Sequence, residues 1–395
     1  MARKILTVNP GSDSRKYALF IGDEEAFSAR LENEDGRFVA SLKINGAAEK
    51  KTIGAREYEN GGAYFLAALV KNKLIKDGAA ISAAGVRIVA PGEYFLKTRP
   101  LDRPYLQHLK SARPAAPLHI DPALQEIETL SRLLHQTPLF GVSDSAFHAS
   151  LPDRARLYAV SLEAAYERGI RRYGYHGLSV QSVLRTAGGM PGGVPFRTIV
   201  CHLGSGASVT AVKNGKSADT SMGFTPLEGL PMRTRPGDLD AGALIYLAKE
   251  TGMTIEQLEE YLNKKCGLLG LAGQTKGGVR ELLELENGGD LKAKAALELF
   301  AYRTKKYIGA YAAALGGLDL LIFTGAIGER SAAIRSRVCE ELEFLGVAVD
   351  AEKNGRLLGE ENGSVEKDGY PVKIAAVKTD EEREIALETA AAINK

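Results

Sequence analysis

The sequence predicts an α/β protein whose two halves share one architecture. Three observations lead there. The apolar run Ile5 to Val8 turns through Asn9-Pro10-Gly11-Ser12 and returns as Lys16 to Phe20. A β-branched run, Thr198 to Val200, turns through Gly204-Ser205-Gly206 and returns as Val209 to Val212, about 190 residues later. Between and after these two units, short strand-like runs alternate with helical periodicity, the pattern of mixed α/β architecture.

Taken in order, Gly61 to Asp77 reads as a helix with Phe65, Leu66, Leu69, Val70 and Leu74 on one face. Ala83 to Val89 reads as a strand ending at the Pro91-Gly92 turn. Asp121-Pro122 carries the signature of a helix start, Asp as cap and Pro at the first position, with the helix running to about His135. Leu139 to Val142 is a strand ending at Ser143-Asp144, and Ser161 opens a further helix. In the second half Asp240 caps Ala241 to Glu250, and Gly252 ends that helix. Thr254 to Gln257 is a capping box, for a helix that stops near a Gly267-Leu-Leu-Gly270 turn. Ala293 to Ala314 is a long alanine-rich helix. Leu320 to Phe323 is a buried strand followed by Gly325, Gly328 and a helix from Ser331 to Leu345, an order that aims a helix N-terminus at an anion. No flexible linker separates the halves, so a hinging cleft between them is expected.

Composition bounds the function. At 395 residues the chain accommodates two or three domains, and its 45% hydrophobic and 25% charged residues are those of a soluble globular protein. Fifty-one basic against 49 acidic residues give a formal charge of only +2, which argues against a nucleic-acid-binding surface. Cys201, Cys266 and Cys339 show no CxxC spacing and read as reduced thiols of a reducing compartment. The six histidines form no zinc-binding spacing. The opening MARKILTVNPGS reads as a strand rather than a signal peptide. The long apolar run Tyr307 to Gly328 is broken by Gly316-Gly317 and Asp319, so no membrane span is expected, and the protein is expected to be cytoplasmic.

The chemistry concentrates between Val200 and Asp240, VCHLGSGASVTAVKNGKSADTSMGFTPLEGLPMRTRPGDLD. A glycine turn between strands offers backbone N–H groups to an anion. Arg233 and Arg235 follow, beside Gly237, Asp238 and Asp240. A phosphate cradle followed by arginines suits phosphoryl transfer, where charge spread over the equatorial oxygens must be neutralised.

The motifs CHLGxGAS, DTSMGFTPLEG and TRxGDxD, in that order, resemble the acetate kinase family and its short-chain acyl kinase relatives in the actin-like superfamily. The resemblance runs from residue 5 to about residue 390. It implies two actin-like (RNase H-like) domains with a nucleotide cleft between them. The first would span 1–147, joined by a C-terminal helix at 382–395. The second, 148–381, would bind nucleotide and form a homodimer. It further implies ATP- and Mg2+-dependent, reversible phosphorylation of acetate by in-line transfer.

Residue by residue, the resemblance implies these roles. Asn9, Ser12, Ser14 and Lys16 stand in NPGSDSRK, where Asn9 would meet metal or phosphate and Ser12 and Lys16 would support the transition state or the structure. Arg87, in GVRIVAPGE, would meet the substrate carboxylate or the migrating phosphoryl group; by its letters alone it is an arginine in an apolar strand, which demands a partner. Asp144, in SDSAFH, would align magnesium and phosphoryl, although Asp there also suits a helix cap. His176, in RRYGYHGLS, would touch the phosphoryl group, with His202 and His119 in supporting positions. Arg235 would clamp the phosphoryl group together with Arg87, a fork that lysine does not reproduce. Glu381, in KTDEER, would be the magnesium carboxylate. Val89, Leu118, Tyr175 and Pro226 would line a small acyl pocket. His202, Gly204, Ser205, Gly206, Arg280, Gly325, Ala326, Ile327 and Gly328 would hold the nucleotide.

Departures from the family pattern cluster in two places. Val86 and Ala90 replace histidines flanking Arg87. In the nucleotide half Arg233 replaces a glycine, Thr275-Lys276-Gly277-Gly278 lacks the family's aspartate, and Arg330 replaces an asparagine. An altered phosphoryl donor such as pyrophosphate, a propionate or butyrate kinase, and a nucleotide-binding protein without turnover are therefore the competing readings. A pocket of this size separates neighbouring acids by only about 1–3 kcal/mol per methylene.

Overall fold

Alternation along the first strand decides which way the N-terminal hairpin faces: Leu6 and Val8 enter one core, Ile5 the other. The computed structural model describes residues 2–11, 14–34, 36–44, 46–273 and 278–394. The chain folds as two compact units, Met1–Ala146 with Asp380–Lys395, and Phe147–Thr379.

The first unit holds strands β1 (Lys4–Pro10), β2 (Ser14–Ile21), β3 (Glu24–Glu34), β4 (Arg37–Ile44), β5 (Ala47–Thr52), β6 (Ala83–Ile88), β7 (Arg99–Pro100) and β8 (Leu139–Ser143). They form one sheet in the order β5-β4-β3-β2-β1-β6-β8-β7. The β1–β6 and β6–β8 pairs are parallel, so the carboxyl ends of these three strands share one edge of the fold. Helices Gly61–Lys71 and Pro117–Leu133 cover one face, burying Phe65 and Ile127 with Phe27 and Leu31. Helix Glu381–Ile393 covers the other, through Ala386 against Ile5, Ala18 and Phe20. Its close approach to β6 requires Gly85: a Cβ there would lie 2.9 Å from Ile385 Cγ2 and closer still to Thr389 Oγ1.

The second unit holds β9 (Arg197–Leu203), β10 (Ala207–Lys213), β11 (Lys216–Thr220), β12 (Leu320–Thr324), β13 (Gly363–Ser364) and β14 (Lys373–Ala376), in the order β11-β10-β9-β12-β14-β13. The run β11-β10-β9-β12-β14 repeats the run β3-β2-β1-β6-β8: an antiparallel meander followed by two parallel strands. The similarity of the halves expected from the two glycine hairpins is thus present in the topology. Helix Gly177–Gly188 packs Val180, Val183 and Leu184 on Val200, Ile322 and Ala375, and the long helix Leu291–Leu315 packs on β9 and β10.

Several local expectations need correction. The helix expected from Asp121 starts at Pro117, with Pro122 inside it. The Asp121 carboxylate is taken by Arg113, at 2.6 and 3.0 Å, and caps nothing. The helix from Gly61 stops at Lys71, because Lys73 enters the left-handed region (φ 58°) and Leu74 N–H returns to Leu69 O at 3.0 Å. Val70 is exposed rather than on the buried face. Ser161 opens only a π-helical turn, Glu163–Glu167, and Gly267-Leu-Leu-Gly270 is the start of helix Gly267–Ala272. The helix expected from Ser331 to Leu345 ends at Cys339, with Glu341 at φ 61°, and Gly325–Arg330 forms its own short helix before it.

Candidate functional site

In the first unit the carboxyl ends of β1, β6 and β8 place Asn9, Arg87 and Asp144 side by side, where ligands of open α/β sheets gather. Arg87 donates from Nη2 to Asp144 Oδ2 at 2.8 Å and from Nη1 to Asn9 Oδ1 at 3.0 Å. Asn9 donates from Nδ2 to Glu381 Oε2 at 2.9 Å and to Glu382 Oε1 at 3.0 Å. Lys16, opposite Asn9 in the β1–β2 register, closes the row on Glu382 at 3.4 Å. The row Asp144, Arg87, Asn9, Glu381, Glu382, Lys16 is therefore continuous, and Asp144 at its head is fully buried.

Charge accounts for the arrangement. Burial alone would pull the Arg87 guanidinium down, but Asp144, Glu381 and Glu382 hold it above its ordinary value. Glu382 raises the Lys16 ammonium against the same burial. Three carboxylates face two cations, which leaves the row one negative charge. Asn9 has both ends of its amide engaged and so bridges Arg87 to Glu381 and Glu382. Among the described residues no group of three or more His, Cys, Asp or Glu side chains could hold a metal on its own. One or two buried carboxylates beside a net negative charge do fit magnesium that arrives with substrate phosphates. Val89 is buried directly after β6, while Leu118 and His119 stand half-buried in the first turn of helix Pro117–Leu133.

In the second unit the β9–β10 hairpin is closed by Gly204 N–H to Gly206 O at 3.0 Å. A Cβ on Gly206 would lie 3.0 Å from Arg235 Nη2 and 3.1 Å from His176 Nε2, so the guanidinium and the imidazole converge on this glycine. His176 sits at φ 60° as the residue before helix Gly177–Gly188, a conformation uncommon for non-glycine residues and frequent at functional sites. Its Nδ1 meets Ser208 Oγ at 2.9 Å, and its ring stacks on His202, whose Nδ1 meets Ser179 Oγ at 2.7 Å. Arg235 Nη1 donates to Pro226 O at 2.9 Å.

The arginine loop rests on a set of backbone hydrogen bonds, to which Thr234 adds a side-chain bond from Oγ1 to Asn263 O at 2.7 Å. Met232 N–H bonds Arg235 O, Leu268 N–H bonds Met232 O, and Leu269 N–H bonds Arg233 O, each at 2.9 Å. Gly267, at φ 64°, allows this, since a Cβ would lie 2.7 Å from Arg235 O. Asp238, three residues after Arg235, is a clip: it accepts from Gly229 N–H at 2.9 Å and Tyr307 OH at 2.7 Å. Tyr175 is buried and donates to Phe224 O at 2.6 Å, against the segment that carries Pro226. Glu228 accepts from Arg172 at 2.5 Å and from Tyr158, whose hydroxyl accepts from Phe224 N–H at 2.9 Å.

Gly325 leads the short helix at φ 74°; Glu329 accepts its N–H at 3.1 Å, and the Ala326 amide lies 4.0 Å from the Cβ position of Gly204. The two glycine segments expected to hold nucleotide, Gly204–Gly206 and Gly325–Gly328, are thus adjacent. Arg280 stands apart on the exposed flank of helix Val279–Asn287, paired with Glu284 at 3.2 Å. Ser12, Thr275, Lys276 and Gly277 lie outside the described residues.

The model of the Acetokinase family matches residues 4–387. The chain belongs to the acetokinase family. An acetate kinase of Phocaeicola vulgatus is 42% identical over 99% of this chain and 100% of its own. The crystal structure of Porphyromonas gingivalis acetate kinase superposes with a TM-score of 0.87 at 34% identity, covering 99% of this chain and 100% of that one. A propionate kinase from Francisella tularensis superposes with a TM-score of 0.89 at 33% identity, covering 98% and 99%. The actin-like α/β fold and the kinase class follow from this membership. No helix among the described residues is long and apolar enough to cross a membrane.

Proposed function

We propose that the protein phosphorylates acetate with ATP, reversibly, giving acetyl phosphate and ADP by direct in-line transfer. The observation that carries this reading is the convergence of Arg235 Nη2 and His176 Nε2 on Gly206. Two fixed donors at a glycine that admits close approach suit the equatorial oxygens of a transferring phosphoryl group. Arg87, braced by Asp144 and Asn9, orients the acceptor carboxylate or the migrating group, since a guanidinium fork matches either anion. Asp144 and Glu381 would hold Mg2+, which neutralises phosphate charge when bound. His202, Gly204 to Gly206 and Gly325 to Gly328 support the nucleotide phosphates; Lys16 and His119 serve the transition state or the structure around it. Val89, Leu118, Tyr175 and Pro226 set the acyl preference.

The same proposal places the protein in the cytoplasm as a homodimer. Helix Ala241–Thr251 has no buried residue although it carries Leu244, Ile245, Tyr246 and Leu247, and Leu239 beside it is half exposed. A second copy of the chain covering this face would remove that apolar surface from water.

The test is Mg-ATP and acetate with hydroxylamine, which traps acyl phosphate as a coloured hydroxamate. Parallel reactions contain propionate, butyrate, no acid, or pyrophosphate in place of ATP. The last arm is warranted by Gly278, which caps helix Val279–Asn287 with no side chain for a ribose. Colour with acetate and ATP supports the proposal; colour only with another acid or with pyrophosphate replaces the substrate named; no colour in any arm overturns it.

A further inference from the structure

His148 belongs to the SDSAFH segment, yet the roles assigned above leave it unused. It is fully buried, in the short 3-10 turn Ala146–Ser150. Its Nε2 lies 3.0 Å from Tyr175 O and its Nδ1 lies 2.8 Å from Ser217 Oγ on β11. A carbonyl oxygen only accepts, so Nε2 carries the proton, and in the neutral ring Nδ1 then accepts from the serine hydroxyl. Both ring nitrogens are used and the ring cannot turn.

The turn that it holds is the one that carries two proposed site residues. Tyr175 places its ring by donating to Phe224 O, beside the acyl-pocket segment. His176 follows in the left-handed region. Gly174, at φ 75°, is shaped to the same imidazole: a Cβ there would lie 2.8 Å from the His148 ring and 2.5 Å from Thr220 Cγ2. The left-handed backbone of His176 is the kind of conformation that persists only where its surroundings over-determine it. A buried donor on the preceding carbonyl is such a constraint.

We propose that His148 is a positioning residue for the phosphoryl-transfer reaction. By donating Nε2–H to Tyr175 O it fixes the Gly174-Tyr175-His176 turn, and so sets both the His176 imidazole at Gly206 and the Tyr175 wall of the acyl pocket. This rests on the acyl kinase reading above. Ser217 acts one step further back, holding the His148 tautomer.

Two conservative variants separate the ring's two contacts. Gln at 148 can place its side-chain N–H where Nε2 donates, whereas Asn reaches only the Ser217 side. With acetate and ATP, His148→Asn is expected to lose on the order of 100-fold in kcat, as a displacement of about 1 Å at the reacting group does, and to raise the KM for acetate. His148→Gln keeps kcat within about fivefold of the wild type, an allowance of one hydrogen bond of roughly 1 kcal/mol. The KM for ATP stays unchanged in both, and their melting temperatures agree. Equal loss in the two variants, or loss that tracks melting temperature alone, overturns the proposal. A second readout is independent of turnover: in spectra of 15N-histidine-labelled protein the His176 ring signals shift in His148→Asn and remain in place in His148→Gln. Unmoved His176 signals in both variants overturn the positioning role, while a wild-type protein without hydroxamate activity overturns the reaction and leaves the spectra to decide the role of His148.

Discussion

His176 and His202 stack with ring centroids 4.1 Å apart and 28° between their planes, each with Nδ1 against a serine hydroxyl. Stacking and two serines fix both rings, and the Nε2 of His176 is the edge that meets Gly206. Removing one serine therefore tests orientation without touching the imidazole. Ser208→Ala is expected to lower kcat about fivefold, the value of a hydrogen bond of roughly 1 kcal/mol. The KM for ATP should change little; steady-state kinetics with both substrates decide it, and an unchanged kcat would show that His176 does not depend on Ser208.

Arg235 is held through Pro226 O and by a loop bonded to the backbone of residues 266–269. Because the loop's own bonds to 266–269 are backbone, Arg235→Lys keeps them and removes the fork together with its bond to Pro226 O. A loss of about 100- to 1,000-fold in kcat is expected, comparable to deleting one preorganised donor. The melting temperature should stay within a degree or two. Turnover within a few-fold of the wild type would rule out Arg235 as the phosphoryl clamp.

Gly85 admits the C-terminal helix against β6. Gly85→Ala is expected to destabilise the protein by about 1–3 kcal/mol, the usual cost of overpacking. Pairing it with Thr389→Ala, which withdraws the clashing hydroxyl oxygen, should recover part of the loss in thermal unfolding. Because Arg87 lies two residues beyond Gly85 and Glu381 begins the displaced helix, the single variant should also raise the Mg2+ concentration needed for half-maximal activity.

The thiols give a pH prediction. Burial pushes Cys201 well above its ordinary value and Cys339 up to about 12, while Cys266 is only half-buried and is raised less. Thiols raised in the folded state stay neutral while those of the unfolded chain ionise. Their contribution to stability is therefore present below about pH 9 and is lost as pH rises toward 12. Urea titrations at pH 8, 9 and 10 should show a falling midpoint, less steeply in Cys339→Ala relative to its own value at pH 8. In the native protein at pH 8 a thiol reagent should label Cys266 first, with Cys201 and Cys339 reacting only on unfolding. Fast labelling of three thiols would contradict the buried placement.

How far the sequence could be read depended on whether the determinant was local. The β1–β2 and β9–β10 hairpins, the caps at Asp240 and Thr254, and the long helix ending at Gly316 carry local signatures, and each stands where those signatures place it. The helix that begins at Pro117 was misplaced because Arg113, eight residues away, takes the carboxylate of an otherwise good cap. The end of the helix at Lys71 escapes the sequence because Lys73 occupies a left-handed position that usually signals itself with glycine. In the site, motif letters singled out His176, Arg235, Arg87, Asp144, Asn9 and Glu381. Of the residues that hold them, Gly174, Ser179, Ser208 and Glu228 stand inside the same motifs but are ordinary in type, while Gly267 and Tyr158 are remote in sequence. What each one holds is a contact across the fold, which its letter does not announce.

Gly267 shows what such a contact means for inheritance. It lies 32 positions after Arg235 and offers no chemistry of its own, yet its missing side chain is where the arginine loop comes to rest. A codon change at 267 would behave genetically as an active-site allele. A second-site suppressor would map to the backbone path of 232–235 rather than to any neighbour of 267 in the gene.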